Sequence, residues 1–121
     1  MSAASHGQLI SGLATAAYSK NTLVIPSTTA DYFTQAGAAD TKIIGVLQND
    51  TYAAGDPCTV KLFAASTHIA TSNESIARGD YVEVLANGKI GSGSGITNFV
   101  ALTAGGADEY VEFVQIWDLI V

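Results

Sequence analysis

Two histidines are the only imidazoles in this chain and the first residues to consider for acid–base chemistry. His6 lies near the N-terminus, and His68 lies in a stretch of alternating polar and apolar residues. A base such as His68 could activate the hydroxyl of Ser66 or Ser72. However, the chain has no nucleophile elbow, because segment 91–95 carries glycine where that motif needs serine. We therefore expect His68 to be a strand residue at the surface or partly buried, and we predict no catalytic residue and no enzyme.

The glycine-rich segment and two groups of polar residues could bind phosphate or a metal. Segment 91–95 lacks both the Lys-Ser/Thr ending of a phosphate-binding loop and a following helix, so we interpret it as a flexible loop. Two groups could supply oxygen ligands to calcium: Asp108 with Glu109 and Glu112, and Asn49 with Asp50. Neither group has the spacing of a known calcium loop, which favours solvated turns. We predict no metal and no cofactor.

The chain is poor in charged residues for its size. It has 121 residues, which favours one domain, and 48% of them are hydrophobic whereas only 13% are charged. An ordinary soluble domain has about 25% charged residues, so part of the apolar surface of this one must stay exposed. Exposed apolar surface usually marks contact with another protein. We expect an oligomer, or a protein that functions when docked on something larger.

The distribution of charge argues against two classes of partner. The formal net charge is −6, and the five basic residues are scattered along the chain. A row of phosphates or an anionic bilayer attracts clustered lysines and arginines. The sequence therefore predicts no nucleic-acid binding and no membrane binding. Cys58 is the only cysteine, so an intrachain disulfide is impossible, and we expect a small apolar strand residue there.

The N-terminal residues differ in composition from the rest of the chain. Residues 1–21 are small and polar with few large apolar anchors, and we interpret them as a loosely ordered arm. A single β domain is predicted over residues 22–121. The first basic residue is Lys20, so the apolar stretch before it lacks the positive region of a secretory signal. We expect a protein made in the cytoplasm.

Short β-rich runs separated by turns fill residues 22–121. The predicted strands are 22–25, 42–47, 58–63, 67–71 and 81–85, and Asn87-Gly88 predicts a tight hairpin into Lys89-Ile90. Turn chemistry occurs at residues 54–57 and 76–80. Residues 27–40 form a looser stretch in which one short helical turn is an option. This pattern predicts a mainly-β fold, a small β-barrel or sandwich.

The last twelve residues read as one extended strand, with one face nearly all apolar and the other about half apolar. One face carries Val111, Phe113, Gln115, Trp117, Leu119 and Val121, and the other carries Tyr110, Glu112, Val114, Ile116, Asp118 and Ile120. A strand of this kind is either central in the fold or at a subunit interface. Because aromatic residues are enriched in interface hot spots, we nominate five candidate interface residues: Trp117, Phe113, Tyr110, Leu119 and Tyr81. The alternative for Trp117 and Phe113 is a place in the core.

The order of turns and strands resembles that of a known family. Residues Ala54-Gly55-Asp56, the strand around Val60, residues 76–82 and Asn87-Gly88-Lys89-Ile90 follow one another as in the capsid cement (head decoration) proteins of tailed bacteriophages. Those proteins show an Ala-Ala-Gly-Glu/Asp turn, a valine-bearing strand, a Gly-Asp turn before another strand, and a short hairpin. Residues 100–102 and 105–113 are similar to the ending of that family. The resemblance covers roughly residues 40–114.

Membership of that family would imply both an architecture and a role. The resemblance implies a β-barrel-like or β-tulip fold that forms a homotrimer and binds the major capsid protein. The protein would lie on the outer surface of the virion and brace neighbouring capsomers. The resemblance does not extend to the N-terminal arm, for which we expect either loose order or contact with the capsid. Two alternatives remain: another virion component of the tail, head-completion or host-surface fibre class, and a carbohydrate-binding module that uses surface aromatic residues.

Overall fold

The computed structural model describes residues 8–38, 40, 42–63, 66–93 and 99–116. Within these residues the fold is mainly β. Its ten strands are β1 Leu9–Ala14, β2 Leu23–Pro26, β3 Tyr32–Gln35, β4 Gly45–Leu47, β5 Pro57–Leu62, β6 Thr67–Thr71, β7 Val82–Val84, β8 Ile90–Ser92, β9 Phe99–Ala101 and β10 Tyr110–Gln115. None of the described residues belongs to a helix long and apolar enough to cross a membrane.

Five strands close a barrel in the order β1-β3-β2-β4-β5. Strand β1 pairs antiparallel with β5, so the prediction of a loosely ordered arm is wrong for residues 9–14. Small residues occur here because the strands approach closely: a Cβ atom on Gly12 would lie 2.3 Å from Cε2 of Phe33. The glycine at position 12 therefore reflects tight packing of the barrel wall. Residues 1–7 lie outside the described part of the chain.

Strand β3 occupies the stretch in which the sequence allowed a short helical turn. Tyr32–Gln35 instead pairs parallel with β1 and antiparallel with β2. Residue Asp31, with a φ of +69°, precedes the strand in the left-handed region that Asp and Asn tolerate. This stretch has only a weak local preference for any structure. It becomes a strand because β1 and β2 supply hydrogen-bonding partners on its two edges, and the sequence does not reveal that pairing.

Two barrel strands are buried on both faces. Adjacent residues of a strand point to opposite sides, yet Leu23 and Val24 are both buried, as are Val46 and Leu47. Val24 and Leu47 belong to the core inside the barrel, whereas Leu23 and Val46 belong to a second core outside it. This explains why both runs are continuously apolar instead of alternating.

The remaining strands cover this second core. Strands β6-β10-β9 form one sheet and β7-β8 another. Isolated bridges connect them, from Tyr81 to Val100 and from Ser72 to Ile90. The strands thus wrap around buried side chains that include Phe113, packed against the outer wall of the barrel.

The two turns singled out in the sequence have the same geometry. The backbone N–H of Ala53 donates to Oδ2 of Asp56 over 3.1 Å, and that of Ala77 donates to Oδ2 of Asp80 over 2.9 Å. In each turn the residue before the aspartate is a glycine with a φ of +91°. The Asn87-Gly88 hairpin is also confirmed, because β7 and β8 pair antiparallel around it.

Candidate assembly surface

His68 lies on the inward side of β6, in a buried cluster of aromatic rings. Its ring is 1% exposed and lies 5.1 Å from the ring centre of Phe63 and 5.7 Å from that of Phe113. The expectation of a surface or partly buried histidine is therefore wrong. Strand alternation is the reason: His68 and Ala70 face inward on β6, whereas Thr67 and Ile69 face outward.

Ser72 is fully buried but is used for structure. Its hydroxyl donates to the carbonyl oxygens of Gly106 and Glu109, the latter over 3.2 Å. The backbone N–H of Ser72 also donates to the carbonyl of Glu109, over 2.8 Å. These bonds fasten the end of β6 to the turn that precedes β10. The Ser72 hydroxyl is therefore committed to backbone carbonyls.

The acidic residues near the C-terminal strand each have local partners. Asp108 forms an ion pair with Lys89, with 2.7 Å between Oδ1 and Nζ, and Oε1 of Glu109 accepts the backbone N–H of Gly106. Among the described residues, no three His, Cys, Asp or Glu side chains are grouped as a metal site. The Glu109 bond closes a turn at residues 106–109.

Cys58 is an apolar strand residue, as the sequence predicts. It lies in β5, is 3% exposed, and packs in the core inside the barrel. Burial raises the pKa of its thiol, because the thiolate would lose its hydration there. A protonated thiol in a closed core is a poor nucleophile and a poor metal ligand.

Exposed and half-buried apolar side chains lie on the outer side of the β6-β10-β9 sheet and next to it. Paired residues share one face, and the pairs Tyr81–Val100 and Val100–Val114 connect the residue before β7 to β9 and β10. Ile69 lies on the same face of β6, because its partner Glu112 lies on the Val114 side of β10. Tyr81 is 39% exposed and Ile69 44%. We call the surface formed by Tyr81, Val100, Val114 and Ile69 the outer apolar face.

The candidate interface residues divide between this face and the core. Tyr81 belongs to the outer apolar face, and Tyr110, 55% exposed, lies at its end on β10. Phe113 is fully buried against Phe63 and Phe99, so its nomination as an interface residue is wrong and its alternative place in the core is correct. Trp117 and Leu119 lie outside the described residues.

Three members of the outer apolar face were not nominated from the sequence. Val114 was placed on the correct side of the last strand, but Ile69 and Val100 lie on other strands whose pairing with β10 appears only in the structure. The aromatic criterion favoured tyrosine over β-branched residues. An alternation analysis of every strand would have found Ile69.

Comparison with known proteins reveals a similarity of fold to a solved structure. No protein-family model and no curated protein matches the sequence. Among solved structures, the chain is similar to the crystal structure of the head fiber gp8.5 N base of bacteriophage phi29, with a TM-score of 0.72 and 15% sequence identity. The alignment covers 89% of this chain and 92% of that one. The chain therefore shares its fold, over nearly its whole length, with the base of a bacteriophage head fibre.

Proposed function

We propose that the chain is a structural protein of a tailed-phage virion, a cement protein on the outer surface of the capsid. In this role it assembles as a homotrimer and binds the major capsid protein across neighbouring capsomers. It uses surface complementarity and needs no catalytic group.

The observation that carries the proposal is the likeness to the phi29 head-fibre base. The match extends over 92% of that chain, so it concerns a whole module rather than a common hairpin. Fold alone does not define a function. Here it agrees with the independent resemblance of residues 40–114 to capsid cement proteins, which rests on the order of turns and strands. Both lines support a structural role in a phage virion, and we infer the outer surface of the head from the resemblance to cement proteins.

The outer apolar face gives the proposal a physical mechanism. Tyr81 and Ile69 are exposed and Val100 and Val114 are half-buried on this face, which Glu112 borders, in a chain with only 13% charged residues. Burying such a face contributes about 25 cal/mol per Å² of apolar area. Repetition over the symmetric sites of a capsid multiplies a modest contribution at each site into substantial reinforcement of the shell.

A second candidate function is the base module of a head fibre. The name of the structural neighbour favours it directly, because that protein is itself described as the base of a fibre. The two candidates differ in what the trimer carries. A cement protein ends at the shell, whereas a fibre base supports a projecting domain.

Self-association tests the role of the outer apolar face. We expect the full chain to sediment as a trimer, and V114K and I69K to shift it toward monomer, because a lysine there would be buried without a partner. The control Y52K replaces a 79% exposed tyrosine on the barrel and should leave the trimer intact. A wild-type chain that remains monomeric at high concentration would contradict the proposed assembly.

Binding to phage heads tests the partner. The wild-type chain and V114K would be incubated with heads of the encoding phage, before and after shell expansion, and bound protein would be quantified after sedimentation. We expect wild type to bind expanded heads in preference to unexpanded ones. Cryo-electron microscopy of the virion then separates the two candidates: density on the shell lattice without a projecting domain supports cement, and density beneath fibres supports a fibre base. Absence from the head contradicts both.

A further inference from the structure

Three shallow depressions adjoin one another along the molecule, and each has a tyrosine in its wall. The first is lined by residues that include Tyr18 and Tyr52. The second shares Tyr18 with the first and Tyr110 with the third. We call this series, defined by Tyr52, Tyr18 and Tyr110, the tyrosine groove. A ligand that occupies more than one of these adjoining depressions must be extended, as a chain-like ligand is.

The middle depression lies where three parts of the fold meet. Its volume is about 410 Å³, within the roughly 300–1,000 Å³ range of small-molecule sites. Gln35 of the barrel and Asn87 of the hairpin both line it, with 3.4 Å between Nε2 of Gln35 and Oδ1 of Asn87. In this pair Oε1 of Gln35 stays available as an acceptor and Nδ2 of Asn87 as a donor.

The middle depression is held in shape by hydrogen bonds between these parts. The N–H of Gly88 donates to the carbonyl of Ala36 over 2.7 Å, and that of Thr71 donates to the carbonyl of Asn21 over 3.1 Å. These bonds join the hairpin and β6 to the barrel. The walls are therefore preformed, which reduces the ordering entropy that binding would cost.

The three tyrosines differ in their exposure and in their hydrogen bonds. The hydroxyl of Tyr18 is fixed between Oγ1 of Thr15 at 2.7 Å and Oγ1 of Thr34 at 2.9 Å. Burial raises the pKa of the Tyr18 phenol, but hydrogen bonds with Thr15, Thr34 and the backbone of Gln35 outweigh it and lower the pKa overall. Tyr52 and Tyr110 are 79% and 55% exposed and offer rings to a ligand.

The charges along the groove favour a neutral ligand. Its walls contain two lysines, Lys20 and Lys89, and three carboxylates: Asp50, Asp108 and Glu109. Lys89 is already paired with Asp108. No excess of positive charge remains to attract a phosphate or sulfate chain. Amides, hydroxyls and exposed aromatic rings remain, and these groups recognise the hydroxyls and the apolar C–H faces of sugar rings.

We propose that the tyrosine groove binds a neutral linear oligosaccharide. Sugar rings pack on Tyr52 and Tyr110 at its two ends, and Gln35 and Asn87 hydrogen-bond the ring hydroxyls between them. None of the four residues that define the outer apolar face lines the groove, and Tyr110 is the residue at which the groove and the end of that face meet.

Binding to defined sugars tests the proposal. The full chain would be titrated with cellohexaose, maltohexaose, chitohexaose and mannohexaose by calorimetry and by native mass spectrometry, and screened on an array that includes neutral and anionic bacterial glycans. We expect a neutral glycan to bind, and Y52A and Y110A each to weaken binding about tenfold, equivalent to about 1.4 kcal/mol. Q35A should weaken binding as well.

The control is L9A, which removes a 61% exposed apolar side chain outside both the groove and the outer apolar face and should bind the sugar like wild type. Tyr52 is so exposed that Y52A is not expected to affect folding, which circular dichroism would verify. Three results would overturn the inference: no neutral glycan bound, binding to anionic glycans only, or equal loss of binding in L9A and Y52A. None of these depends on trimer formation or shell binding, so failure here leaves the capsid proposal standing.

Discussion

The backbone N–H of Gly88 donates to the carbonyl oxygen of Ala36 over 2.7 Å, and this bond joins the β7–β8 hairpin to the barrel. Gly88 has a φ of +66°, and a Cβ atom there would lie 2.4 Å from Cγ2 of Thr22 and 2.8 Å from the carbonyl oxygen of Leu23. The hairpin tip can approach the barrel this closely only because it has no side chain at this position.

Gly88→Ala should therefore destabilise the fold by backbone strain and by overpacking. The matched control is Gly79→Ala, where φ is +91° but no atom lies within 4 Å of the added Cβ. Both variants carry the strain of a positive φ, and overpacking should cost G88A about 1–3 kcal/mol more. Urea denaturation measures the difference. Equal free energies of unfolding in the two variants would show that the hairpin tip is not tightly packed.

Substitutions of Phe113 and Tyr110 test which face of β10 is buried and which is exposed. Phe113 is fully buried among aromatic rings, so F113A should lower the free energy of unfolding by about 3–5 kcal/mol. Y110A on the same strand changes an exposed ring, and its effect should stay within about 0.5 kcal/mol. Thermal and urea unfolding of both variants check this. A large effect of Y110A on the stability of the monomer would contradict the assigned faces.

The hydroxyl of Thr51 serves two backbone groups of the loop after β1. Its Oγ1 donates to the carbonyl of Ala16 and accepts the N–H of Tyr18, both over 2.9 Å. Thr51 is 3% exposed, so T51V removes the partner of two part-buried backbone groups, at a cost of about 1–3 kcal/mol. T51S keeps the hydroxyl and should retain most of the stability. A loss in T51S as large as in T51V would mean that the methyl group, not the hydroxyl, is what matters.

The buried thiol of Cys58 should make the free energy of unfolding depend on pH. Burial raises the pKa of its thiol in the folded state, so the folded state binds the proton more tightly than the unfolded state. The resulting stability is fully present below the unfolded pKa of about 8.5 and is lost as the pH rises through the folded pKa. Between pH 7 and pH 10, wild type should lose more free energy of unfolding than C58A.

Thiol labelling gives a second measurement on the same residue. A neutral thiol reagent at pH 7 should modify Cys58 only at the rate at which the barrel opens, and urea should accelerate the reaction. Rapid labelling of the native protein, or an identical alkaline loss in wild type and C58A, would contradict the burial of this side chain.

Local chemistry explains which parts of the fold were predictable. Alternation around Val60 predicted β5, and Asn87-Gly88 predicted the hairpin, because turn preference and strand periodicity are properties of neighbouring residues. The strand at residues 9–14 was missed for the opposite reason. Its small residues are explained only by the Phe33 ring that lies against Gly12, from a strand some twenty residues away in sequence.

The candidate assembly surface was likewise predictable only where neighbouring residues determine it. Periodicity placed Val111 and Phe113 together on one side of the last strand and Tyr110 on the other, but it did not say which side faces solvent. The assignment depends on which strands pair with β10 and on what they cover. The tyrosine groove was even less predictable. Tyr52, Tyr18 and Tyr110 are far apart in sequence, and they share a surface only because the barrel closes and the hairpin docks on it.

Composition and local pattern by themselves determined that this protein is a charge-poor β-module with apolar surface to bury. They also determined where its turns lie, because turn geometry is encoded within four or five residues. Only the tertiary structure decided that Phe113 belongs to the core and Tyr81 to the surface, and that β1 closes a barrel. These outcomes depend on long-range strand pairing, whose free energy comes from contacts between residues that the linear pattern does not connect.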